Sequence, residues 1–109
     1  MNVKITGSGY FLPDKIETSL ELSKKINKSE EWILSRTGVI ERRISDIDVD
    51  KMGAIAGRKA LNGKKPDLII NASGVGKQII PDSSVFLQKE LGFNGIPSFS
   101  IHATCLSFL

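Results

Sequence analysis

Cysteine and histidine each occur once in the 109 residues, as Cys105 and His102. A lone thiol cannot form an intrachain disulfide, and a reducing, cytoplasmic compartment is the expectation. One cysteine, one histidine and no clustered carboxylates near them exclude a metal site. No stretch approaches the ~20 consecutive apolar residues that span a bilayer, and Gly7, Ser8 and Gly9 interrupt any signal-peptide core. A membrane role is therefore not expected. Aromatic residues make up only 6% of the chain, and Arg42-Arg43, Arg58-Lys59 and Lys64-Lys65 are scattered pairs. Without a basic stripe interleaved with aromatics there is no nucleic-acid signature. The net charge of +3 would equally suit an acidic carrier or a phosphate-bearing ligand.

Two glycine motifs fail on inspection. Gly7-Ser8-Gly9 lacks the third glycine of a dinucleotide fingerprint, since Leu12 stands there, and it reads as a plain turn. Gly74-Val75-Gly76-Lys77 resembles the end of a phosphate-binding P-loop, but Asn71 and Gln78 replace the required glycine and hydroxyl residue.

What is present is an alternation of short elements. Val3 to Gly7 alternates apolar and polar residues as a strand does. Thr18-Ser19-Leu20-Glu21 is a capping box opening a helix over 19–27, and Ser29-Glu30-Glu31 opens another that Gly38 ends. Val39 to Ile44 is rich enough in β-branched residues for a short strand. Asp48 or Asp50 caps a helix running to about Asn62, with Gly63 as its stop. Its slim face of Gly53, Ala54, Ala56 and Gly57 suits close packing on a sheet. Asp67 to Ala72 reads as a strand covered on both faces. A loop over 73–80 follows, then a helix capped by Asp82 or Ser83 and closed by Gly92, then a strand over 96–102. The order predicts an α/β fold with a mostly parallel sheet, built from strands 3–7, 67–72 and 97–102, and flanking helices.

Cys105 falls where the last strand gives way to Leu106-Ser107-Phe108-Leu109, an apolar stretch that reads as the start of a helix. A helix N-terminus favours negative charge, which suits a thiolate nucleophile. His102, three residues earlier in an extended segment, points to the opposite face and makes a poor base for it. Trp32, followed by Arg36 and Thr37, is either a packing residue or a flat surface on which a base could stack.

Together these segments resemble the β-ketoacyl-acyl-carrier-protein synthase III family of thiolase-fold condensing enzymes. The resemblance rests on Gly7-Ser8-Gly9-Tyr10-Phe11-Leu12-Pro13, on Ser29-Glu30-Glu31-Trp32-Ile33 through Arg36-Thr37-Gly38-Val39, and on Glu41-Arg42-Arg43-Ile44. Met52-Gly53 with Ala56 and Ala60-Leu61, Pro81-Asp82-Ser83-Ser84 with Leu87-Gln88, and Ala103-Thr104-Cys105-Leu106-Ser107-Phe108 extend it in the same order. It implies that residues 1–109 are an N-terminal fragment of a thiolase-like lobe.

By that resemblance Cys105 is the acyl-accepting nucleophile of a Claisen condensation between acyl-coenzyme A and malonyl-carrier protein. Trp32, Arg36 and Thr37 bind coenzyme A, and Ile80 reaches across a homodimer to help close the acyl pocket. No cofactor is implied, since coenzyme A arrives as substrate. The partners implied are acyl-coenzyme A and acyl carrier protein. The family's catalytic histidine and asparagine belong to a part of its chain that these residues do not include, so the fragment alone is expected to be inactive. Three positions depart from the family pattern: Ser100 replaces a common aspartate, Ser107 a common glycine, and His102 a small residue. Other readings are a stand-alone α/β nucleotide- or coenzyme A-binding module and a non-catalytic truncated product with an assembly role.

Overall fold

A computed structural model describes residues 2–108. The chain forms two compact units, one of residues 12–46 and one joining the segment up to Phe11 with the chain from Ile47 onward.

In the smaller unit, β1 (Lys15–Thr18) pairs antiparallel with β2 (Glu41–Ile44), in a register that sets Lys15 opposite Ile44 and Thr18 opposite Glu41. Between them run α1 (Ser19–Ile26) and α2 (Glu30–Thr37). The capping box at the start of α1 is complete: the Glu21 amide donates to Thr18 Oγ1 at 3.1 Å, and the Thr18 amide donates to Glu21 Oε2 at 2.8 Å. Ser29 caps α2 by accepting from the Trp32 amide at 3.1 Å. Gly38 then ends α2 at φ 65°, a left-handed conformation that costs glycine nothing. Ile33 is the buried apolar centre of the unit. Ser19, also buried, hydrogen-bonds Val39 O through its hydroxyl and Ile40 O through its amide, tying α1 to the chain entering β2.

In the larger unit, α3 (Val49–Leu61) packs on α4 (Ser83–Leu91), and β3 (Ile69–Asn71) pairs parallel with β4 (Ser98–Ser100). Gln88 of α4 brackets the approach to β4. Its Nε2 donates to Ile96 O at 2.8 Å and to Ser98 Oγ at 3.1 Å, while its Oε1 accepts from the Ile96 amide at 3.1 Å. Ala54, Ile69 and Ile96 are the buried apolar residues.

The α/β class stands, but the sheet differs from the expected mostly parallel one. It consists of two separate two-stranded pairs, one antiparallel and one parallel. Residues 3–7 form no strand, and Val3 and Ile5 are exposed. Alternation marks a segment able to pair, but a strand also needs a partner, and none lies beside this segment among the described residues. A strand forms instead at 15–18, where Glu41–Ile44 completes it. Nor is β3 covered on both faces, since Ile69 is buried and Ile70 is half exposed.

The slim face of α3 meets a helix rather than a sheet. A Cβ placed at Gly53 would lie 3.2 Å from a Leu87 methyl, and one at Gly57 3.2 Å from a Leu91 methyl. Gly7-Ser8-Gly9, expected as a plain turn, forms no turn. A Cβ at Gly7 would stand 2.2 Å from Ala60 O and one at Gly9 2.1 Å from Ala56 O, so the segment lies directly on the α3 backbone. Only glycine permits that approach.

Candidate active site

Cys105 lies in the larger unit, just beyond β4. The strand ladder extends one step past β4, with the Ile101 amide donating to Asn71 O at 2.9 Å. The chain then turns through Thr104–Leu106 as a single 3-10 turn that carries Cys105 exposed at the surface. The expected α-helix does not begin at 104–106. Thr104 adopts φ 51°, which leaves the right-handed helical region and is strained for a β-branched residue. Leu109, part of the expected helix, lies outside the described residues.

Ser107 closes this turn. Its buried hydroxyl accepts from the Ala103 amide at 2.9 Å and donates to Thr104 O at 2.8 Å. The Leu106 amide adds a bond to Ala103 O at 3.0 Å and the Ser107 amide one to Thr104 O at 3.2 Å. The strained residue next to Cys105 is thus held from both sides. His102 is exposed and makes no hydrogen bond to Cys105.

Behind the turn lies a second feature. Asp82, read from the sequence only as a helix cap, does cap α4 by accepting from the Ser84 amide at 2.7 Å. The same carboxylate reaches β4, accepting from the Ser100 amide at 3.2 Å and the Ser100 hydroxyl at 3.1 Å. Asn71 of β3 donates to Ser100 Oγ at 3.0 Å. The Ser84 hydroxyl holds the Asp82 carboxyl below the usual carboxylate range; burial opposes this, and the Ser84 amide and Ser100 add to it. Ser100 is therefore fixed by a carboxylate arriving from the start of α4. No local signal in the sequence marks this link, since the two residues lie 18 positions apart.

Trp32, Arg36 and Thr37 all lie in the smaller unit, on α2. The Arg36 guanidinium carbon sits 4.9 Å and the Lys28 ammonium 5.6 Å from the centroid of the Trp32 ring, within the range of cation–π attraction. Trp32 is 41% exposed, so it is only partly a packing residue, and its ring borders an apolar hollow with Leu22, Ile26 and Val39. Thr37 Oγ1 donates to Ile33 O at 2.8 Å and accepts from the Val39 amide at 3.1 Å, which fixes its rotamer at the end of α2. An indole with two cations beside it suits a flat ligand carrying negative charge.

Ile80 stands in the loop between β3 and α4, joined to Pro81 by a cis peptide, and is 85% exposed. Among the described residues no three histidine, cysteine or acidic side chains come together to hold a metal ion, and no helix is long and apolar enough to cross a membrane.

No protein-family model matches the chain. Curated proteins and solved structures do. It is 38% identical, over its whole length, to 37% of the β-ketoacyl-[acyl-carrier-protein] synthase III 1 of Vibrio vulnificus. Against the crystal structure of 3-oxoacyl-[acyl-carrier-protein] synthase III from Aquifex aeolicus the TM-score is 0.84 at 35% identity, covering 96% of this chain and 36% of that one. The priming β-ketosynthase of the R1128 polyketide pathway matches at TM-score 0.80 and 30% identity, over 92% of this chain and 32% of that one. The chain thus spans a little over a third of the length of the curated relatives it matches.

Proposed function

We propose that this chain, which belongs to the β-ketoacyl-[acyl-carrier-protein] synthase III family, carries the nucleophile and one side of the coenzyme A groove of a carbon–carbon bond-forming acyltransferase. The observation that carries this reading is Cys105, exposed in a turn locked by Ser107 directly after β4, where the resembling motif has its reactive cysteine. In the proposed reaction the Cys105 thiolate attacks the thioester carbonyl of an acyl-coenzyme A. The C–S bond to coenzyme A breaks, coenzyme A leaves as its thiolate and takes up a proton, and Cys105 holds the acyl group as a new thioester. A malonyl-carrier protein then loses carbon dioxide, and the resulting carbanion attacks that thioester, forming the C–C bond and returning the thiolate.

Trp32, with Arg36 and Lys28 beside its ring, offers a stacking surface and positive charge for the nucleotide end of coenzyme A, and Thr37 borders it. Ile80, on its exposed loop, is read as an acyl-pocket residue reaching a second copy in a homodimer. Acyl carrier protein is the partner of the second half-reaction, and the cytoplasm is the compartment this reading favours. The oxyanion and decarboxylation chemistry is assigned to groups outside these 109 residues, so the chain by itself is expected to take an acyl group but not to condense it.

The test is intact-mass spectrometry after incubation with acetyl-coenzyme A. A gain of one acetyl group, absent in Cys105→Ala, supports the reading; no gain at Cys105, or an equal gain in the variant, sinks it. A second reading is favoured by one observation: Trp32, Arg36 and Thr37 all fall within the compact unit 12–46, so a nucleotide-binding module without catalysis needs nothing from the unit that carries Cys105.

A further inference from the structure

The loop over 73–80, which follows β3 and leads into α4, is held by a lysine whose ionic partners lie far away in sequence. Lys77 Nζ lies 2.8 Å from Asp50 Oδ2 and 3.0 Å from Asp48 Oδ2, both at the start of α3. Its ammonium also sits 5.1 Å from the centroid of Phe86 on α4, and its amide donates to Ser83 Oγ at 2.7 Å. Asp48 occupies the N-cap of α3 yet makes no capping bond, and its carboxylate faces Lys77. The Asp50 side chain is 1% exposed. A buried carboxylate without a counter-charge is strongly unfavourable, and Lys77 supplies that charge beside the amides of Asp50 and Lys51.

On either side of Lys77 the loop meets other parts of the site. A Cβ at Gly74 would lie 3.5 Å from Thr104 O, in the turn that presents Cys105. Beyond Lys77, Gln78 Nε2 donates to Ile80 O at 2.7 Å, and the tip residues Ile79 and Ile80 are 89% and 85% exposed. Two isoleucines projecting from a pinned base are preorganised, and less ordering entropy is lost when a ligand or partner covers them.

We infer that Lys77 is a positioning residue: by bridging Asp48 and Asp50 it pins the middle of the 73–80 loop and fixes where Ile79 and Ile80 project. The inference deepens the acyltransferase reading, on which it rests for the acyl chain those isoleucines would meet. The pinning itself depends only on this chain.

Hydrogen exchange of the 109-residue chain, followed by mass spectrometry, tests it in Lys77→Met, Lys77→Arg and Asp48→Asn. In Lys77→Met, the hydrogen-bonded amides of residues 75 and 77 should exchange about tenfold faster while those within α4 keep their protection, as expected for local opening. Lys77→Arg keeps a cation able to bridge two carboxylates and should recover most of the protection. Asp48→Asn removes only the exposed half of the bridge and should loosen the same segment by a smaller factor, which decides the matter if Lys77→Met does not fold. Unchanged exchange at 75 and 77, equal loosening of α4, or no recovery with arginine each overturns the inference. Absence of acyl transfer to Cys105 would instead remove the acyltransferase reading and leave the exchange result standing.

Discussion

The Asp82 carboxylate joins Ser100 through two hydrogen bonds, one to its amide at 3.2 Å and one to its hydroxyl at 3.1 Å. One side chain therefore starts α4 and also fixes the end of β4, five residues before Cys105. Replacing it removes a helix cap and leaves the Ser100 amide without its acceptor. Asp82→Ala should cost about 1–3 kcal/mol of stability, measured by urea denaturation. Asp82→Ser, which keeps a capping oxygen but is too short to span to β4, should recover only part of that loss. Full recovery with serine would show that the bond to Ser100 contributes nothing.

The acid side of the stability profile follows from the carboxylates. Asp82 is held low mainly by the Ser84 hydroxyl; for Asp50, burial pushes upward, but the Lys77 ammonium and the amides of Asp50 and Lys51 together outweigh it. Groups with lowered folded values contribute stability above their unfolded values and lose it as pH falls through the folded ones. The melting temperature should therefore fall as pH drops below about 4. The fall should be shallower in Asp50→Asn/Asp82→Asn. A residual slope should remain there, because Lys25 holds Glu17 low and Thr18 holds Glu21 low. Lys77 has a raised value, owed first to Asp50 and then to Asp48. Its contribution is complete below the ordinary lysine value and is lost only as pH rises past the raised one. An acid slope identical in the double variant would refute the assignment.

Two glycines on α3 contacts should behave differently. At Gly9 a Cβ would stand 2.1 Å from the backbone oxygen of Ala56, and backbone cannot swing aside. Gly9→Ala should destabilise by about 1–3 kcal/mol. At Gly53 the neighbour is a Leu87 methyl at 3.2 Å, which can yield, and alanine gains about 1 kcal/mol in helix propensity. Gly53→Ala should be nearly neutral. Chemical denaturation of both variants checks the contrast.

For the Trp32 hollow, the expected observation is a change in tryptophan emission on adding coenzyme A, absent in Arg36→Ala. Trp32 is the single tryptophan, so the signal has one source. An indole unperturbed at about millimolar ligand, which corresponds to roughly 4 kcal/mol of binding, would remove both the groove and the binding-module reading.

Self-association is expected as well. β3 and β4 have no third strand among the described residues, and Ile70, Phe99 and Phe108 are 50%, 44% and 89% exposed. Open edges and contiguous apolar surface favour pairing with a second copy. Light scattering should give a mass above the monomer, shifted downward by Ile70→Lys; a monomer at all concentrations would contradict this.

The helices and their ends were legible in the amino-acid sequence because their signals are local. Thr18 with Glu21, Ser29 with Trp32, and Asp82 with Ser84 each satisfy a helix start within three residues. The turns at Gly38 and Gly92 need only a left-handed residue. Cys105 beyond the last strand was equally readable, as was the grouping of Trp32, Arg36 and Thr37 on one helix. Pairing and approach were not. Whether residues 3–7 or 15–18 became a strand depended on which found a partner, and Glu41–Ile44 lies across from the latter. Gly7 and Gly9 look like turn residues until α3 lies against them. Asp48 is spelled as a helix cap, but a lysine 29 positions away takes its carboxylate. The turn at Cys105 was expected to be helical, yet Thr104 turns left-handed under the clamp of Ser107. Interactions closed within a few residues are encoded where they occur. Those that join distant segments, as Asp82 and Asn71 join Ser100 behind the candidate site, exist only once the chain has brought them together.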